Sequence, residues 1–180
     1  MEIKATLNKP YTKEEEINFM AFYGQNCKQQ NPECYEIRRT STALEAWGKT
    51  PEEQLTDAKQ SKYQEASSKA KSYLESGEAC FVFTQGENDY HIEATDGNIA
   101  KMNAYLTGLQ AGTFEEVTWV SKEDEILTLN AEDVTTILLG LGQVQADVWS
   151  NQFLAYKNAI DEATTVEEIN AIEINYNNPV

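Results

Sequence analysis

The first pattern along the chain is helical. Thr12 and Glu15 stand three residues apart, the spacing of a capping box, and Ile17, Met20, Phe22 and Tyr23 carry the segment to a stop at Gly24. Asn31-Pro32 marks a turn, after which Tyr35 to Arg39 alternates apolar and polar positions and reads as a strand. Thr50-Pro51-Glu52-Glu53 opens a second helix with an N-cap threonine, a proline in the first turn and acidic residues beside it. That helix is expected to reach about Leu74 and to end before Gly77. Its apolar positions are thin, namely Leu55, Ala58, Ala66, Ala70, Tyr73 and Leu74, so a solvated spacer is predicted, with a strand of an oligomeric bundle as the alternative.

Beyond Ser76-Gly77 the period changes from helix to strand. Ala79–Phe83 and Tyr90–Ala94 form one predicted hairpin, and Val117–Val120 with Ile126–Leu129 form another. Between them Thr95 or Asp96 caps a helix from about Gly97 to Gln110. Asn130 then caps the longest predicted helix, whose apolar positions Val134, Ile137, Leu141, Val144 and Val148 follow a 3-4-3-4 spacing. The spacing persists for about two heptads, short of a coiled coil, so a packed amphipathic helix is favoured. Ile137, Leu141, Val144 and Val148 are the candidate oligomer contacts if the helix is not wholly internal. Thr164-Thr165 caps a short last helix through Ile172, and the tail from Asn175 to Val180 is expected to be loose. The predicted class is α+β: a helical N-terminal half, then a small antiparallel sheet (ββ-α-ββ), a long C-terminal helix and a short terminal one. Residues 1–76 would be a mostly helical attachment or spacer region, and residues 77–180 an α+β domain.

Charge narrows the functional classes. The 180 residues carry 14 basic and 30 acidic side chains, a net charge of −16. Such a surface repels phosphate backbones and acidic lipid, so neither nucleic acid nor membrane is an expected partner. The apolar run from Ile137 to Leu141 is far too short to span a bilayer, and the opening MEIKATLNKPY has no apolar signal core. Cys27, Cys34 and Cys80 leave at least one thiol unpaired and form no CxxC, which fits synthesis in a reducing cytoplasm.

No arrangement of residues asks for a catalyst or a cofactor. His91 is the only imidazole and sits in a predicted strand, where a sheet-surface role is expected. Cys27 and Cys34 lack a partner pair at zinc-ligand spacing, and Gly140-Leu141-Gly142 lies inside a helical pattern without the remaining phosphate-loop glycines. Lys122-Glu123-Asp124-Glu125 reads as a turn, without the ligand order of a calcium loop. Trp47 and Trp119 would be the residues to stack on a sugar, although both are expected to serve packing.

The second half resembles the uncharacterised C-terminal domain of many bacteriophage tail-fibre and tail-associated proteins. The resemblance is carried by the Thr95–Gly112 helix, by Val117-Thr118-Trp119 with its acidic turn, and by Leu129-Asn130-Ala131-Glu132-Asp133. It is most complete in Lys157-Asn158-Ala159-Ile160-Asp161-Glu162-Ala163-Thr164-Thr165-Val166-Glu167-Glu168-Ile169, similar to the family's closing signature. A weaker likeness to small prophage proteins covers residues 35–55. The resemblance implies a structural protein, not an enzyme, made in the bacterial host cytoplasm and placed in the tail region of the virion. Its partners would be other tail or fibre proteins and further copies of itself, a trimer being favoured by analogy with fibre symmetry. A fibre-assembly chaperone is the first alternative, and a host-surface glycan-binding or hydrolytic module the second.

Overall fold

The computed structural model describes residues 1–28 and 36–177. It is a mixed α+β protein that divides into two compact units, residues 1–61 with 163–171 and residues 62–162 with 172–180. Each is built around its own strands.

The first unit contains β1 (Glu2–Asn8), α1 (Lys13–Lys28), β2 (Glu36–Arg39), β3 (Ala43–Gly48) and the start of α2 (Pro51–Glu75). Its three strands form one antiparallel sheet in the order β1-β3-β2, with Leu7 opposite Leu44 and Ile37 opposite Ala46. The N-terminal half therefore holds a three-stranded sheet beside its two helices, which the sequence reading did not foresee beyond the strand near residues 35–39. Ala-Leu-Glu-Ala-Trp-Gly carries good helix formers, yet it becomes the central strand because pairing on both edges and burial outweigh local propensity. Ala43, Leu44 and Ala46 are almost wholly buried there. The caps expected from the sequence form: the Glu15 N–H donates to Thr12 Oγ1 at 3.2 Å, and the Thr12 N–H donates back to the Glu15 carboxylate at 2.7 Å. Thr50 and Glu53 repeat the arrangement at 3.2 and 2.9 Å. The expected turn at Asn31-Pro32 lies outside the described residues.

The second unit begins inside α2. The boundary expected at Ser76-Gly77 is a tight turn instead, with Gly77 at φ +78°. Ala66, Ala70 and Leu74 on the last turns of α2 are buried, so this half of the helix is a packed element and not a solvated spacer. The hairpins follow as β4 (Cys80–Gln85) with β5 (Asn88–Glu93), and β6 (Val117–Val120) with β7 (Ile126–Leu129). They make two separate two-stranded ladders, not one sheet. Isolated hydrogen bonds, not a ladder, link them, among them those from the Lys122 N–H to the His91 carbonyl at 3.0 Å and from the Gln85 amide to the Thr128 carbonyl at 3.0 Å.

Between the ladders runs α3 (Asp96–Gln110), capped by Thr95, whose hydroxyl accepts from the Asn98 N–H at 3.1 Å. Then comes α4 (Ala131–Ala146), opened by a full capping box between Asn130 and Asp133. It continues through a π-helical turn at Asp147–Gln152 into α5 (Phe153–Glu162). The core gathers Phe83, Ile92, Met102, Leu127, Leu129, Val134, Ile137, Leu141 and Val148. The tail is not loose as far as Asn177. Ile174 is buried, the Tyr156 hydroxyl donates to the Asn175 carbonyl at 2.7 Å, and the Tyr176 hydroxyl donates to the Ala66 carbonyl at 3.1 Å. The short helix α6 (Val166–Ala171) belongs to the first unit, where Thr165 caps it against Glu168 at 3.1 Å and Ile169 is buried.

Candidate functional site

The long helix presents two unlike faces. Ile137, Leu141 and Val148 are 0% exposed and Val144 is 4% exposed. The four residues expected to meet a second subunit are thus consumed by the chain's own core, packed with Phe83, Ile92 and Leu127. A two-heptad apolar spacing serves an internal helix as well as an oligomer seam, and here two hairpins and α3 supply the cover. Gly140 shows how close that cover lies, because a Cβ there would run into the Phe81 ring.

The outward face holds Leu139, at 67% exposed, and Leu154, at 47%. Between them Gln143, Ala146, Asp147, Ser150 and Asn151 line a shallow depression. It lies where the chain passes into the π-turn, which widens the helix by spreading its hydrogen bonds over five residues. The Asp147 carboxylate is satisfied locally, accepting from the Asn151 and Gln152 side-chain amides at 2.7 and 2.6 Å. Those bonds, Asn151's first, hold its pKa below the usual aspartate value. Sequence reasoning missed this face. The signal that would have found it is that Asp147 is the only charged residue between Asp133 and Lys157, in a chain whose residues are 24% charged.

A second cluster joins the hairpins. His91 Nδ1 lies 2.6 Å from a Glu123 carboxylate oxygen, and the His91 N–H donates to the other oxygen at 3.1 Å. Desolvation works to raise the Glu123 pKa. Hydrogen bonds from the His91 N–H, Ser121 and the His91 ring outweigh it and hold the carboxyl at about 2. Beside them Lys122 Nζ donates to the Gly77 carbonyl at 2.7 Å and sits 3.8 Å from Cys80 Sγ. Burial pushes the Cys80 thiol up despite that ammonium, the opposite of what an attacking thiolate needs. The group ties β5 to the turn after β6, a tether built from the only histidine in the chain.

The tryptophans are engaged as well. Trp119 is 7% exposed and meets the Tyr105 ring edge-on at 6.2 Å, so it is not free to stack on a sugar. Trp47 carries the Arg38 guanidinium 4.4 Å above its ring and donates from Nε1 to Glu45 at 2.9 Å. Among the described residues no group of three or more His, Cys, Asp or Glu side chains is placed to hold a metal ion. Among them, too, no helix is long and apolar enough to cross a membrane. No protein-family model matches the chain, and neither a curated protein nor a solved structure matches it.

Proposed function

We propose that the protein is a structural or accessory component of a bacteriophage tail or tail-fibre apparatus, acting through contacts with other tail proteins. The observation that carries it is the closing segment from Lys157 to Ile169, whose likeness to the tail-domain signature is the most complete in the chain. Several of its residues have a plain physical task. Ile160 and Ile169 are buried, and the Glu168 carboxylate accepts from the Thr164 and Thr165 N–H groups at 2.7 and 3.2 Å while its own N–H is capped by Thr165. A segment whose residues serve capping and packing suits a scaffold domain.

The decisive experiment is mass spectrometry of purified particles from the source phage, with copy number measured against the major capsid protein. Stoichiometric presence is the expected result. Absence from particles, with the protein abundant in infected cells, would overturn the virion assignment in favour of an assembly chaperone.

A further inference from the structure

We infer that the outward face of the α4–α5 helix is a two-fold contact with a second copy of this chain. The proposal rests on the shape and charge of the helix and stands whether or not the protein belongs to a phage tail.

Shape comes first. Leu139 projects as a large, mostly exposed apolar side chain, and the depression lined by Gln143, Ala146, Asp147, Ser150 and Asn151 lies about eight residues further on, roughly 12 Å along the axis. Two such helices laid antiparallel about an axis near Gln143 place each Leu139 over the other copy's depression. One knob and one hole on a single helix thereby become two identical interlocks, the self-complementarity that a two-fold interface demands. Gly142 falls at the crossing, and among the described residues no atom lies within 4 Å of where its Cβ would be, so the backbones can approach closely there. Thr135 and Thr136 come opposite Asn151 and Ser150, so neutral hydrogen-bonding groups meet on either side of the leucines.

Charge selects the occupant. At −16, two copies of this chain repel each other across faces that carry carboxylates, such as the Glu123-Asp124-Glu125 turn. The outward face from Thr135 to Ala155 brings together no charge except Asp147, and that carboxylate is already bonded within its own helix. It is a surface on which two such anions can meet without opposing carboxylates. The other conspicuous apolar helix, α1, sets exposed Ile17 and Met20 three residues apart on one face, but Lys13 and Glu16 lie one turn away beside them, so that face is charged where the outward face of α4–α5, Asp147 apart, is not. The contact runs along about 30 Å of a single helix, a narrow interface, so a weak and reversible dimer is expected.

The test is sedimentation velocity on the intact chain from about 1 μM to about 1 mM, at low and raised salt. A concentration-dependent dimer that tightens as salt screens the net charge is expected. Leu139→Asp should shift dissociation at least about tenfold toward monomer with an unchanged circular dichroism spectrum, since a 67%-exposed site tolerates a carboxylate. Ile126→Asp, at a 73%-exposed site on the β6–β7 hairpin, should leave the dimer intact. With Cys27 and Cys34 replaced by serine, Gln143→Cys should form a disulfide-linked dimer on mild oxidation. A monomer across the whole range, a trimer, or a dimer indifferent to Leu139→Asp would each overturn the proposal.

Discussion

Leu139 and Leu141 stand two residues apart on one helix and meet opposite surroundings. Leu141 is 0% exposed and packed among the two hairpins and α3, while Leu139 is 67% exposed at the surface. Two glycines repeat the contrast: Gly140 is pressed against Phe81, and Gly142 faces open space. The period of 3.6 residues turns near neighbours toward opposite sides, so one apolar stretch of sequence serves both a core and a surface. Apolar spacing alone does not say which leucine does which. Burial does, and the scarcity of charge on the outer face is what the proposed contact would account for.

The largest effect expected from breaking this contrast comes from Leu141→Asp. Burying an unpaired carboxylate costs more than the about 2 to 5 kcal/mol of a leucine truncation, a large share of a typical domain's stability, so the second unit should unfold. Leu139→Asp, two residues away, should change the urea midpoint of the monomer by no more than about 0.5 kcal/mol equivalent. Next in size is Gly140→Ala, where the new methyl collides with the Phe81 ring and should cost about 1 to 3 kcal/mol in chemical denaturation.

Acid should act on an intermediate scale. The carboxylates of Glu15, Glu53 and Glu168 are held below their usual pKa by hydrogen bonds, that of Glu15 chiefly from the Thr12 N–H, that of Glu168 chiefly from the Thr164 N–H and that of Glu53 chiefly from the chain's amino terminus. Glu123 is held at about 2. A lowered folded-state pKa contributes stability above the unfolded value and loses it as pH falls through the folded one. Urea midpoints should therefore be flat down to about pH 4.5 and fall steadily toward pH 2. The proposed dimer should move the other way at first and tighten toward pH 5, as the net negative charge shrinks. Gly142→Ala should act modestly, stabilising the monomer by about 0.5 to 1 kcal/mol through helix propensity and, with a methyl at the crossing, weakening the dimer. Opposite signs in thermal melting and sedimentation would sharpen the contrast between the two glycines.

Helix caps and hairpins were legible because their signals are local. Thr95, Asn130 and Thr165 cap the helices expected of them, and both hairpins form in the expected runs. What escaped depended on partners distant in sequence. The segment Glu2–Asn8 alternates Ile3, Ala5 and Leu7 as a strand should, but its pairing partner β3 is built of alanine, leucine and glutamate and hides in a helical composition. The tail looks polar and loose until Tyr156, Gln152 and Ala66 are brought beneath it by the fold. The surface around Leu139 was overlooked for the same reason. Its meaning comes from what is absent around it, and from a π-turn that no propensity scale announces.

Thiol labelling of the Leu139→Cys and Leu141→Cys variants in their native state, followed peptide by peptide, tests the two-faced helix most directly. The thiol of Leu139→Cys should label rapidly in dilute solution and become protected as concentration drives the dimer. That of Leu141→Cys should label only at the rate of unfolding of the second unit, at any concentration. Equal labelling in the two variants, or a rate for Leu139→Cys that does not depend on concentration, would contradict the account.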